Sequence, residues 1–173
     1  MSLELVNTLG TIGTFLVIAA TAITAFVQLR HIRLANQLAG LQSTFNMLQE
    51  PTVRELVNYV RHDLSERMKD PQFRAGILDI PVDRRQHPEL YLCDMYNHIG
   101  SFVRSGLIDE GVYLQTDWYN VNLYWGLLRD VIAQARENRS FLFENFEWLA
   151  ARGQAWIDAH PHGDYPSDQP RML

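Results

Sequence analysis

Residues 5–29 read LVNTLGTIGTFLVIAATAITAFVQL, and none of these 25 side chains carries a charge. Wound as an α-helix at about 1.5 Å per residue, the run reaches roughly 37 Å, against a bilayer core about 30 Å thick. Its centre, Thr14 to Ala20, is dense in residues that enter hydrocarbon readily. The threonines are tolerated there because a hydroxyl on a helix bonds to the carbonyl one turn back. The sequence therefore predicts an N-terminal transmembrane helix over residues 1–30. A cleaved export signal is the rival, since Ala20-Thr21-Ala22 imitates a small-x-small cleavage site. The start, however, carries only Glu4 where a signal has basic residues, and apolar sequence continues past the mock site to Leu29. A buried core helix is the third reading, disfavoured because soluble cores rarely hold so long an uncharged run.

The flanks set an orientation. No Lys or Arg precedes the run, whereas Arg30 and Arg33 follow it, with His31 between. Positive charge is retained on the cytoplasmic side, so the N-terminus is expected outside and the rest of the chain in the cytosol of a bacterial cell, anchored in its inner membrane.

Within the run, Asn7, Thr14, Thr21 and Gln28 recur every seven residues, and Gly10, Val17 and Thr24 fall between them on the same seam. Phe15, Leu16, Ile18, Ile23 and Phe26 lie largely away from this stripe. In lipid, small residues let helices approach and polar groups bond across the contact. Asn7, Gly10, Thr14, Thr21 and Gln28 are thus the candidate association face, toward a second copy or another membrane protein. The alternative is a homo-oligomeric pore lined by Asn7, Thr14, Thr21 and Gln28, since amide and hydroxyl rings suit a water-filled axis. The bland reading is that Thr and Ala merely dilute hydrophobicity.

Nothing breaks the helix after Leu29. Leu34, Leu38, Leu41, Phe45 and Leu48 step by four and three, an apolar seam along a juxtamembrane helix over residues 31–50 that Pro51 ends. Residues 51–160 then read as a helical bundle. Thr52 and Glu55 have capping-box spacing, ahead of an inner face of Val53, Leu56, Val57, Val60, Leu64 and Met68. Lys69 to Gln86 is a loop with a short turn at Gln72–Ile77. Pro88 suits a first helical position, and the helix it opens uses Tyr91, Leu92, Met95, Ile99, Phe102 and Val103 before Gly106 stops it. From Thr116 the seam Trp118, Val121, Trp125, Leu128, Ile132 is the clearest in the chain, fading near Arg136–Arg139. Ser140 is positioned to cap a last helix along Leu142, Phe146, Leu149, Gly153 and Trp156, which His160-Pro161 ends. Residues 161–173 form a polar tail with little reason to be ordered. No alternating strand is present. The fold class is all-α: a transmembrane helix continuing into a cytosolic bundle of four to five helices.

Chemistry is harder to find. A net charge of −5 and a pI near 5.6 argue against nucleic acid as a partner, and one cysteine excludes an intrachain disulfide scaffold. His160-Pro-His162-Gly-Asp164 has the spacing of a zinc-hydrolase string, but Tyr165 stands where a further histidine is expected and no downstream ligands remain. Asp94 and His98 share a helix face, near Cys93 and His87, an acid–base pair in one reading and an ordinary surface hydrogen bond in the other. Cys93 reads as a structural thiol on an apolar helix. Arg129 and Arg136 read as a solvated face with local ion pairs. There is no nucleophile elbow, phosphate loop or dinucleotide fingerprint, so no cofactor, metal or catalytic residue is implied.

The N-terminal span followed by Gln28-Leu29-Arg30, with Ile99-Gly100, Ser105-Gly106-Leu107-Ile108-Asp109, Trp125 and Arg136 further on, resembles a bacterial family known only as a domain of unknown function. The resemblance covers most of residues 5–150 and implies small proteins with one membrane helix and a helical cytosolic part. It implies no catalytic residues. The expectation is a non-enzymatic interaction or regulatory module acting through helix–helix association, in contact with membrane lipid.

Overall fold

The computed structural model describes residues 3–166 and 168–172; Met1 and Ser2 of the expected anchor, and Ser167 and Leu173 of the expected tail, lie outside them. Among the described residues every regular element is a helix: α1 (Leu3–Leu48), α2 (Pro51–His62), α3 (Leu64–Arg67), α4 (Pro71–Gly76), α5 (Glu89–Arg104), α6 (Glu110–Arg136) and α7 (Glu144–Ala159). The chain separates into two compact units, Met1–Ala39 and Gly40–Leu173, so the boundary falls inside the expected 31–50 segment.

The first unit holds only α1 up to Ala39; the last turns of that helix belong to the second unit. Its large apolar side chains from Ile12 to Leu38 are exposed, Phe15 and Phe26 to 70%. Thr11, Thr14, Thr21 and Thr24 each donate their hydroxyl to the carbonyl four residues earlier, at 2.8–2.9 Å. This is how a helix carries hydroxyls without presenting unsatisfied donors.

The second unit is built on α5, α6 and α7, which pack against one another, with α2 laid on α5 and α6. The core runs through Leu92, Tyr96, Ile99, Leu128, Ile132 and Phe146, all essentially inaccessible. Phe146 of α7 stacks on Tyr96 at 5.1 Å and meets the Trp125 ring edge-on at 5.2 Å. Among the described residues six helices follow α1, α3 and α4 being short, where the sequence suggests four or five. The inner face from Val53 to Met68 keeps its register, with Val60 and Leu64 buried, but the helix is interrupted at Asp63. The short turn expected at Gln72–Ile77 winds into α4, where the Asp70 carboxylate accepts from Gln72 N at 2.8 Å.

Several helix starts differ from expectation. The Thr52–Glu55 capping box is not formed: Pro51, lacking an N–H, takes the first helical position and draws the start forward, so Thr52 lies inside α2. Pro88 stands one residue outside α5. Helix α6 begins at Glu110, well before Thr116, because the Asp109 carboxylate accepts from Val112 N at 3.0 Å. Ser140 caps nothing. Helix α7 begins after Phe143, whose backbone is left-handed (φ 59°) and whose ring is buried. Its missing cap comes from α5, where the Asn97 side-chain oxygen accepts from Asn145 N at 3.1 Å and Phe146 N at 3.4 Å. Gly106 has the left-handed backbone (φ 73°) expected of it. On α5, Tyr91 and Phe102 turn out to be exposed, while Leu90, Cys93, Tyr96 and Gly100 are buried, because helices flank α5 on more than one side.

The α7 start lies so close to α5 that a Cβ on Gly100 would run into the carbonyl of Asn145, with the carbonyl carbon 2.7 Å away. That obstacle is backbone and cannot rotate aside. Gly126, mid-α6, has nothing within 4 Å of such an atom. Gly100→Ala is therefore expected to destabilise the helical unit by about 2 kcal/mol. Gly126→Ala is expected to stabilise it by roughly 0.5–1 kcal/mol through helix propensity. Thermal denaturation of the two variants checks the opposite signs.

Candidate functional site

The candidate association face on α1 is open: Asn7, Gly10, Thr14, Thr21 and Gln28 are all exposed, as are Arg30 and Arg33. Apart from its chain neighbours and the surrounding helix backbone, no atom lies within 4 Å of a Cβ built at Gly10. Heptad spacing on a straight helix drifts by about 20° per repeat, so the stripe winds gently around α1. The seam from Leu34 to Leu48 divides. Leu34 and Leu38 are 53% and 66% exposed, whereas Leu41 and Leu48 pack on the core of the helical unit and Phe45 stacks over Tyr113 at 6.5 Å.

The second candidate was not singled out by sequence reasoning. Asp117 of α6 is 4% exposed. Its carboxylate accepts from the Tyr113 hydroxyl at 2.8 Å and from Asn120 Nδ2 at 2.7 Å. Among the described residues no Lys, Arg or His stands within ion-pair distance of it. Burial, and after it the nearby Asp117, raises the Tyr96 phenol on α5, and its buried hydroxyl completes no hydrogen bond. Tyr124 lies 5.5 Å ring to ring from Tyr96 and accepts from Arg61 at 2.9 Å. Burial pushes the Asp117 carboxyl above the usual range, opposed by the Asn120 and phenol hydrogen bonds. The signal was present in the spacing. Tyr113, Asp117 and Tyr124 at i, i+4 and i+11 share one face of α6, offset from the Trp118–Trp125 seam that dominates the hydrophobic pattern.

A third polar cluster joins His87 and Glu89, both essentially inaccessible, through a 2.9 Å hydrogen bond between Nδ1 and Oε1. Phe73 packs on the imidazole at 4.5 Å. Burial raises the Glu89 carboxyl, against the pull of its own backbone amide and of His87. Its second oxygen, Oε2, has no hydrogen-bond partner.

The remaining residues singled out in the sequence are dispersed. Asp94 pairs with Arg84 at 2.9 Å, not with His98, which is exposed. Cys93 is fully buried and its thiol is raised, mainly by burial. Arg136 is not on a solvated face: Nε donates to Leu142 O at 2.7 Å and Nη1 meets Glu147 at 2.8 Å, tying α6 to the start of α7. His160 stacks on Trp156 at 4.3 Å and donates from Nδ1 to its carbonyl, while Asp164 accepts from Gln115. Among the described residues no cluster of three or more His, Cys, Asp or Glu is placed to hold a metal ion.

The described residues define a helical protein with one helix among them long and apolar enough to cross a membrane. Residues 15–153 match the family described as a domain of unknown function (DUF4760), and the chain belongs to that family. No curated protein and no solved structure matches the chain.

Because folded Asp117 holds its proton more tightly than the unfolded chain does, its contribution to stability is complete below about pH 4 and is lost as pH rises through the raised value. Asp117→Asn keeps an acceptor for Tyr113 and removes this titration. Between about pH 4 and pH 8 the variant is expected to lose less stability than the unaltered chain. Thermal melts across that range, followed by circular dichroism in detergent, test the difference; an equal or steeper loss contradicts it.

Proposed function

We propose that the protein is a single-pass protein of the bacterial inner membrane, N-terminus outside, whose cytosolic helical unit works as an interaction or regulatory module through association of α1 within the bilayer. One observation carries the reading. From Ile12 to Leu29 the apolar side chains of α1 are exposed on every side and no charge interrupts them. A soluble core helix hides such side chains, and water does not tolerate so large an apolar surface. Lipid accommodates it. Arg30 and Arg33, following the apolar run, support this orientation.

The intrahelical bonds of the threonine hydroxyls bear on what the stripe does. With their protons already donated to backbone carbonyls, Thr14 and Thr21 present a small surface without free donors. That suits a dry contact with a second copy, or with another membrane helix, better than a pore lining that must solvate ions.

Full-length protein is expected to sediment with membranes and to resist an alkaline wash. Energy transfer between two labelled copies in vesicles measures association. Gly10→Leu/Thr14→Leu is expected to weaken it by about fivefold, equivalent to roughly 1 kcal/mol. Leu16→Ala, on the far side of the helix, leaves it unchanged. Intact chain in the detergent-free supernatant overturns the membrane reading, and equal transfer in all three proteins overturns the association face.

A further inference from the structure

A cavity of about 200 Å³ lies in the helical unit between the last turn of α1, α2, α5 and α6. Its apolar side is made by Phe45, Leu48, Val53, Val57 and Leu92. Its polar side is the cluster described above: Asp117, Asn120, Tyr96 and Tyr124. The same lining therefore offers a buried carboxyl, aromatic rings and aliphatic side chains.

The donor and acceptor inventory narrows what fits. Asp117 has two neutral partners, Tyr113 and Asn120, and no cationic side chain among the described residues balances its charge. Asn120 spends an N–H on Asp117, which leaves its carbonyl oxygen as an acceptor. The Tyr96 oxygen, inaccessible and without a hydrogen bond, is a third acceptor beside the same cavity. Three acceptors, one of them anionic, match the three N–H donors of a primary ammonium group. Tyr96 adds a ring that attracts cations, while the Tyr124 ring already carries the Arg61 guanidinium, 5.4 Å from its centroid. A neutral alcohol would supply at most one donor and no charge. A quaternary ammonium would supply the charge and no donor.

We propose that this cavity is a binding site for a small primary alkylammonium ion, its nitrogen on Asp117, Asn120 and Tyr96 and its alkyl chain along Val53, Val57 and Leu92. The titratable and charged groups facing Asp117 are Tyr113 and Tyr124 from its own helix, Tyr96 from α5 and, through the Tyr124 hydroxyl, Arg61 from α2. The residues that line the cavity from α1 carry no charge. Binding the cation requires the Asp117 carboxylate, so affinity strengthens as pH rises through the titration of that group, while the alkylammonium remains protonated. Because Phe45, Leu48 and Gln49 of α1 and its exit line the cavity, the ligand would touch the end of the same helix that carries the apolar run. The site stands on the helical unit alone and is independent of what α1 does in lipid.

The test is calorimetric titration of the full chain in lipid nanodiscs with n-pentylamine, n-pentanol and tetramethylammonium, at about pH 8 and pH 5. Saturable one-to-one binding of n-pentylamine is expected with Kd of about 1 mM or tighter, in line with the affinity available to so few heavy atoms. At pH 8 both n-pentanol and tetramethylammonium are expected to bind at least about tenfold more weakly, and n-pentylamine itself to weaken at pH 5. Asp117→Asn should lower affinity for n-pentylamine by about tenfold or more. Val57→Phe, which leaves every polar group in place, should abolish binding by filling the cavity. Tyr96→Phe serves if Asp117→Asn does not fold, and should weaken n-pentylamine alone. No saturable heat from n-pentylamine, equal binding of amine and alcohol, or undiminished binding by folded Val57→Phe overturns the proposal.

Discussion

The contact between the start of α7 and α5 is the constraint on which the helical unit depends. Helix α7 has no cap of its own, and its approach is from a left-handed Phe143. It is held instead by Asn97, which takes up two of its first amides, and by Gly100, whose lack of a side chain lets the Asn145 backbone come in. With that end fixed, Phe146 reaches Tyr96 and Trp125, and Arg136 closes over the α6–α7 connection through Leu142 O and Glu147. The burial of an aromatic cluster then offsets a strained residue and a self-uncapped helix.

Period-based reading performs well where a helix buries one face and poorly where it buries two. The α1 run, the inner residues Val60 and Leu64, the Gly106 stop and the α7 positions Phe146, Leu149 and Gly153 were all legible, because each follows from spacing or from a residue with one conformational role. The α5 face was read too narrowly, since packing on several sides buries Cys93 and Tyr96 as well as Leu92 and Ile99. Helix starts were the weakest element. Their capping groups came from positions that local patterns do not single out, as Asp109 did, or from another helix altogether, as Asn97 did.

The polar clusters were missed for a related reason. Asp117 and Glu89 are charged letters in the sequence, and charged letters on amphipathic helices are ordinarily assigned to solvent. What makes them different is their neighbours in space: three phenols and an amide around one, a histidine two residues away for the other. Only Tyr113 and Tyr124, at helical spacing from Asp117, announced this in one dimension. The two units thus solve opposite problems, one by keeping charge out of a long apolar surface and the other by retaining a few acids inside an aromatic interior.

Cys93 has a practical consequence. It is the sole thiol of the chain, it is fully enclosed by α5 and its neighbours, and burial keeps it in the unreactive protonated form. Maleimide and nitroxide reagents should therefore pass over the native polypeptide. A cysteine introduced anywhere on the exterior becomes a unique handle for fluorophores or spin labels, with no need to delete the residue already there.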